Sequence, residues 1–239
     1  MNATSTERTA LARRVHGVYL LTPDVGAADF SAMLRRLNAA LEAGAALVQY
    51  RNKTATASER SRQAALVQAA AREHGALFIV NDDVDLAVQL RADGVHLGRD
   101  DGDVAAARAR LPGALLGVSC YDDLVRAQRA AESDADILAF GSIFPSTTKP
   151  AAARASLPLL QRARAEFGSQ RIVAIGGIDA GNIAAVGAAG PHAAALISAV
   201  FDAPDPGAAV RILQREFNQG LHQGLHQGLL QHEPQRTTV

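Results

Sequence analysis

The sequence predicts a single-domain α/β protein with the (β/α)₈ architecture of a TIM barrel. Short apolar runs rich in β-branched residues alternate with Ala-, Leu- and Arg-rich segments of helical period along the chain. Eight such pairs within 239 residues match the size and order of eight parallel strands inside a ring of helices. A doubly wound open sheet is the alternative, but it would more usually have about five or six strands and a GxGxxG turn. No such turn follows Leu21.

The elements of the predicted barrel are bounded as follows. The strands are His16–Thr22, Ala46–Arg51, Leu77–Val80, Gly94–Leu97, Leu115–Ser119, Ile137–Phe140, Arg171–Ile175 and Ala194–Ser198. The helices are Ala27–Ala43, Ala57–His74, Val84–Leu90, Val104–Leu111, Asp122–Ala131, Ala153–Phe167, Asn182–Ala189 and Pro206–Phe217. Residues 16–217 therefore form the predicted barrel domain, preceded by an N-terminal extension over residues 1–15.

Residues 218–239 form a Gln-, Gly-, Leu- and His-rich tail built on a four-residue repeat. Gly220, Gly224 and Gly228 each cost about 1 kcal/mol relative to Ala inside a helix, so we expect a solvated tail that is weakly helical or disordered. His222 and His226 lie four residues apart and can hold a metal, but a solvated repeat is the simpler explanation.

Composition excludes several classes of protein. Lys plus Arg equals Asp plus Glu at 24 each, so there is no overall basic field for nucleic acid. Cys120 is the only cysteine, which excludes an internal disulfide and a Cys-rich zinc site and fits a reducing compartment. The first 15 residues lack the apolar centre of a secretory signal, and no apolar run approaches the ~20 residues that span a bilayer. We therefore expect a cytoplasmic protein without a membrane partner.

Lysine usage is strongly biased. Lys53 and Lys149 are the only lysines, whereas the chain has 22 arginines. Chance placement is one explanation. The other is that both positions need a compact ammonium that acts as a point charge against phosphate.

The end of the second predicted strand carries three polar side chains in period two. Gln49, Arg51 and Lys53 point to the same side because side chains alternate along a strand. In a barrel that side is the mouth, where catalytic residues lie. An amide and two cations there predict a site for a highly charged anion.

Carboxylates crowd the ends of the third and fourth predicted strands. Adjacent strands lie about 4.8 Å apart, so one carboxylate from the third strand end (Asp82 or Asp83) and one from the fourth (Asp100 or Asp101) can approach a common point. Mg²⁺ would relieve their repulsion, since it prefers one or two carboxylates, waters and diphosphate oxygens. Alternatively Arg99 neutralises them, and helix capping accounts for Asp83 and Asp101.

Hydroxyls and glycines follow the later strands. Ser119 ends the fifth strand, and a single serine there is more often a packing or capping residue than a site residue. The loop Gly141–Pro150 combines hydroxyls with Lys149, which predicts an oxyanion-binding loop, although a Ser- and Thr-rich turn explains all but the lysine. Gly176 and Gly177 follow the seventh strand, where barrels frequently bind phosphate through backbone N–H groups.

The motifs VQYRNK, FIVNDDVDLA, ADGVHLG, GVSC, GSIFPSTTKP, AIGGI and ISAV occur in this order between about Val15 and Phe217. In this set the chain resembles the thiamine phosphate synthase family. The resemblance implies a barrel transferase of thiamine biosynthesis that joins hydroxymethylpyrimidine diphosphate to a thiazole phosphate. The expected reaction releases pyrophosphate and uses Mg²⁺, and no protein residue is assigned as a nucleophile.

The resemblance also implies roles at matching positions. The pyrimidine diphosphate would contact Gln49, Arg51, Lys53, Asn81 and Lys149, with Asp82 and Asp101 on Mg²⁺ and Ser119 on the pyrophosphate. The thiazole phosphate would contact Ser146, Thr148, Gly177, Ile197 and Ser198. Of these, Arg51, Lys53, Lys149 and Ser119 are the residues expected to assist catalysis.

Two positions depart from the family pattern, because Ser142 replaces a usual proline and Ser146 a usual threonine. The second change keeps the hydroxyl. A thiazole tautomerase is the nearest rival, but it has no need of the diphosphate residues; an inert phosphate-binding barrel is another. Whether the acceptor is the thiazole phosphate or its carboxylated form stays open, as does a homo-oligomeric state.

Overall fold

The structure, a computed structural model, describes residues 3–99, 101–145 and 154–231. Its centre is a closed barrel of eight parallel strands in sequence order, in which β1 pairs with both β2 and β8. The strands are β1 (Gly17–Leu21), β2 (Leu47–Tyr50), β3 (Leu77–Asn81), β4 (Gly94–Leu97), β5 (Leu115–Tyr121), β6 (Ile137–Phe140), β7 (Arg171–Ile175) and β8 (Ala193–Leu196). The predicted fold class is confirmed, and every predicted strand is present to within two residues at either end.

The helices pack around the outside of the barrel. They are α1 (Ala3–Arg13), α2 (Phe30–Glu42), α3 (Ala57–Glu73), α4 (Val84–Leu90), α5 (Val104–Arg110), α6 (Leu124–Glu132), α7 (Leu157–Glu166), α8 (Ile183–Ala188), α9 (Ser198–Phe201) and α10 (Pro206–Gln231). Side-chain caps define where several of these helices begin. Before α4, α5 and α6, the side chains of Asp83, Asp103 and Asp123 accept hydrogen bonds from backbone N–H groups of the first turn. The prediction that Asp83 caps the helix after the third strand is confirmed.

Two apolar layers stabilise this architecture. One lies between the sheet and the helices. The other fills the barrel interior with side chains such as Tyr19, Leu47, Ile79 and Val173, so the barrel is packed below its mouth. Cys120 is fully buried, as expected of a small hydrophobe, and burial raises the pKa of its thiol to about 12.

The N-terminal extension contains a helix that the sequence analysis did not predict. Leu11 and Ala12 of α1 pack against the barrel interior cluster, and Arg8 forms ion pairs with Asp134 and Asp136 at 2.6 and 3.2 Å. Because Asp136 directly precedes β6, these contacts hold α1 against the end of the barrel opposite to the carboxyl ends of the strands.

Of the two alternatives for the tail after Phe217, the structure has the helical one in the described residues, since α10 continues to Gln231. The glycines explain why. A Cβ atom on Gly220 would overlap the carbonyl oxygen of Ala184, and one on Gly224 would overlap that of Ala188. These glycines let α10 lie directly on the backbone of α8, so packing offsets their poor helix propensity.

Within the described ranges, no helix combines the length and the apolar character needed to cross a membrane.

Candidate active site

The carboxyl ends of the strands surround two adjoining cavities. An axial cavity of about 150 Å³ lies over the barrel axis and includes Tyr19, Gln49, His96 and Ser119 in its wall. A lateral cavity of about 210 Å³ lies beside it, between the loop after β2 and the starts of α3 and α4. Both cavities share one wall, made of Arg51, Lys53, Asn81, Asp82 and Asp101.

The two cations of the shared wall are held by carboxylates. Asp24, in the loop after β1, accepts a hydrogen bond from Arg51 at 2.6 Å and another from the backbone N–H of Lys53 at 2.7 Å. The ammonium of Lys53 lies 3.2 Å from Asp82. Asp24 therefore orients the positive side of the site. Sequence analysis did not identify this residue, because its only signal is a carboxylate shortly after the first strand.

The two predicted metal ligands face each other. Burial, together with the adjacent side chain of Asp82 and its charge, raises the pKa of Asp101. Gly98 lies beneath the pair, where a Cβ atom would overlap the Asp101 carboxylate. Asn81 donates to Asp82 at 2.5 Å. A cation between the two carboxylates would relieve their repulsion.

This pair suits a magnesium ion. The described residues contain no group of three or more His, Cys, Asp or Glu side chains arranged around a metal. A structural zinc site would need such a group, whereas Mg²⁺ is commonly held by one or two carboxylates together with substrate phosphates. Asp82 and Asp101 provide that donor set, and the cations of the shared wall lie beside it.

The floor of the axial cavity is polar and highly ordered by hydrogen bonds. Gln49 is 3% exposed and donates to the hydroxyl of Tyr19 at 2.7 Å. His96 Nε2 lies 2.9 Å from Ser119 Oγ, and burial lowers the pKa of His96 to about 4, so its imidazole is neutral near pH 7. These groups can bind a polar heteroaromatic ring.

The hydrogen bonds of His96 assign its tautomer. His96 Nδ1 is buried and has no partner among the described residues. An unpaired lone pair is tolerated better than an unpaired N–H, so we place the proton on Nε2, which donates to Ser119 Oγ. The hydroxyl hydrogen of Ser119 is then available to a ligand.

Arg126 supports this floor from outside the cavity. It donates to the carbonyl oxygens of Ser119 at 2.6 Å and Gly98 at 2.9 Å, which ties the ends of β4 and β5 together. Sequence analysis missed this residue because it lies within helix α6 and not at a strand end.

The other predicted site residues divide into two sets. Gly177, Ile197 and Ser198 follow β7 and β8 but line neither cavity. Gly177 has a φ of 62°, and a Cβ there would overlap the carbonyl oxygen of Pro145, so glycine lets two active-site loops meet. Ser146, Thr148 and Lys149 lie outside the described residues.

The fold and the site together define a (β/α)₈ barrel enzyme whose mouth brings two cations and two facing carboxylates between two adjoining cavities. The family model described as thiamine monophosphate synthase matches residues 18–200, which is more than half of the chain. The chain belongs to this family.

Individual relatives agree with this assignment. The chain is 52% identical over 201 residues to the thiamine-phosphate synthase of Chromobacterium violaceum, covering 84% of this chain and 95% of the relative. It is 50% identical over 207 residues to that of Halorhodospira halophila, covering 85% and 95%. The solved thiamine phosphate pyrophosphorylase of Pyrococcus furiosus superposes with a TM-score of 0.78 at 32% identity, covering 88% of this chain and 99% of that one.

Proposed function

We propose that the protein is a thiamine phosphate synthase. It joins hydroxymethylpyrimidine diphosphate to a thiazole phosphate, with release of pyrophosphate and a requirement for Mg²⁺. The observation that carries the proposal is the shared wall, where two cations and two facing carboxylates separate a cavity suited to a ring from one suited to phosphates. Family membership supports it independently.

The pyrimidine ring binds in the axial cavity. The buried amide of Gln49 and the hydroxyl of Ser119 are held by Tyr19 and His96, so both are oriented before the substrate arrives. The sides of the cavity carry small or apolar residues such as Ala139 and Val173, which exclude water from the methylene carbon where the bond breaks.

The diphosphate crosses the shared wall. Negative charge grows on the leaving oxygen as the carbon–oxygen bond breaks, so Arg51 and Lys53 bind the transition state more tightly than the substrate. Asp82 and Asp101 would hold Mg²⁺, which would supply further charge stabilisation to the diphosphate. The thiazole nitrogen then forms the new bond to the pyrimidine methylene carbon.

The remaining assignments are transferred from the family resemblance. We assign Lys149 to the diphosphate, and Ser146, Thr148, Gly177, Ile197 and Ser198 to the thiazole phosphate. Cytoplasmic location, small-molecule partners without nucleic acid, and a homo-oligomeric state stay predictions.

A two-substrate turnover assay tests the proposal. We expect pyrophosphate and thiamine phosphate to form only when both substrates and Mg²⁺ are present, and Lys53→Ala to lose most of the activity while its thermal unfolding stays close to that of the wild type. A barrel that isomerises the thiazole phosphate alone would consume that substrate without pyrimidine diphosphate. An inert barrel would bind phosphate without turnover, and either result contradicts the proposal.

A further inference from the structure

Arg60 places a third cation in the lateral cavity. It lies near the start of α3, is half-buried, and contributes to the cavity wall together with Arg51 and Lys53. Neither the strand ends nor the motifs of the sequence indicated this residue, because it comes from a helix.

Arg60 has no acidic partner among the described residues. Its neighbours along the chain are already engaged: Glu59 accepts hydrogen bonds from both the backbone and the hydroxyl of Thr56, and Arg62 packs over the ring of Phe30 at 5.8 Å. Arg51 and Lys53 differ in that each pairs with a carboxylate.

The position of Arg60 is unfavourable for a cation in the absence of a ligand. The first turns of a helix carry the positive end of its dipole, where a guanidinium is destabilised. Arg51 and Lys53 line the same cavity and repel this guanidinium, although Asp82, Asp83 and Asp101 also line that cavity and offset part of the repulsion. A bound anion in the lateral cavity would reverse both effects.

The arrangement of the two cavities specifies which part of a ligand reaches Arg60. A ligand whose ring occupies the axial cavity extends its charged tail across the wall shared by both cavities. Arg60 lines only the lateral cavity, so it meets the end of the tail and not the part next to the ring. In a pyrimidine diphosphate that end is the terminal phosphate.

We propose that Arg60 binds the terminal phosphate of the pyrimidine diphosphate and thereby selects the diphosphate over the monophosphate. This inference rests on the proposed function. Arg60 also binds pyrophosphate as it leaves, since the same phosphate remains in the lateral cavity after the bond breaks. A charge-assisted hydrogen bond of this kind contributes roughly tenfold or more to affinity.

The test compares Arg60→Gln, Arg60→Lys and the matched control Arg62→Gln on the same helix. Isothermal titration with pyrophosphate in the presence of Mg²⁺ should show affinity weakened about tenfold in Arg60→Gln, partly restored in Arg60→Lys and unchanged in Arg62→Gln. The KM for the pyrimidine diphosphate should rise in parallel, whereas inhibition by the pyrimidine monophosphate and the KM for the thiazole phosphate should not change.

The outcomes separate the inference from the proposed function. Equal pyrophosphate affinity in wild type and Arg60→Gln would overturn the role of Arg60, even in an active synthase. If Arg60→Gln weakened binding of the pyrimidine monophosphate as much as binding of pyrophosphate, the role of Arg60 would also be overturned, because Arg60 would then not act on the terminal phosphate alone. If the wild type releases no pyrophosphate from the two substrates, the proposed function fails, while the titration still decides whether Arg60 binds this anion.

Discussion

Asp82, at the end of β3, and Asp101, in the loop after β4, meet at the mouth of the barrel, where burial and the adjacent Asp82 side chain raise the pKa of Asp101. Two neighbouring carboxylates repel each other, and a cation between them removes that repulsion. Gly98 lies beneath them, and because it has no side chain, the Asp101 carboxylate can occupy the position that a Cβ atom would take. The site is therefore organised to receive a cation.

Removing either carboxylate should abolish the metal response. We expect Asp82→Asn and Asp101→Asn to lower turnover by roughly 100-fold and to raise the Mg²⁺ concentration needed for half-maximal pyrophosphate release. Asp85→Asn is the matched control, because Asp85 is 85% exposed and pairs with Arg110 on the surface. Wild-type Mg²⁺ dependence in either active-site variant would contradict the assignment.

The hydroxyl of Tyr19 orients the amide of Gln49. Tyr19→Phe removes the acceptor of a buried 2.7 Å hydrogen bond, so the amide loses its fixed orientation. We expect the KM for the pyrimidine diphosphate to rise about fivefold to tenfold, with an unchanged KM for the thiazole phosphate. Steady-state kinetics with each substrate varied in turn will check this. Equal changes in both constants would indicate a general loosening of the barrel mouth.

Packing of α10 on α8 depends on glycine at specific positions. Gly220→Ala gains about 1 kcal/mol of helix propensity, but its methyl group overlaps the backbone of Ala184, so we expect a net loss of about 1 to 3 kcal/mol in the free energy of unfolding. Gly228 has open space around its α-carbon, and Gly228→Ala should be neutral or slightly stabilising. Urea unfolding followed by circular dichroism measures both. Stabilisation by both substitutions would show that the contact is dispensable.

His192 should contribute to acid sensitivity. Its Nδ1 accepts the backbone N–H of Ile172 at 2.9 Å, and burial lowers its pKa to about 4, with Arg164 and Arg171 adding to the shift. Because the unfolded state binds the proton more readily, this contribution is complete above about pH 6.5 and is lost as the pH falls towards about 4.

A variant isolates this effect. In His192→Asn the amide oxygen can replace Nδ1 as acceptor without titrating. Between about pH 7 and pH 4.5, the free energy of unfolding of the variant should therefore fall by roughly 1 to 2 kcal/mol less than that of the wild type. Urea unfolding at a series of pH values provides the comparison. Parallel curves for the two proteins would rule out His192 as the source.

The sequence by itself determined the barrel and most of the shared wall. Eight apolar runs require parallel neighbours because each is followed by a helix, and the period of two along a strand directs Gln49, Arg51 and Lys53 to one side. Consecutive strands predicted that one carboxylate from each would meet, but the choice of Asp82 and Asp101 came from the family resemblance. Local sequence patterns are sufficient to predict site residues that lie at the ends of strands.

Only the tertiary structure decided which residues from other elements join them. Asp24 and Arg60 enter the site from a loop and a helix, and their separation from Lys53 along the chain gives no measure of their distance in space. The extent of α10 is also a tertiary outcome: its glycines oppose a helix in isolation, but they permit close contact with α8, and that packing stabilises the helix. Helix propensity depends on the residues of the segment itself, whereas burial depends on which other elements of the chain pack against that segment.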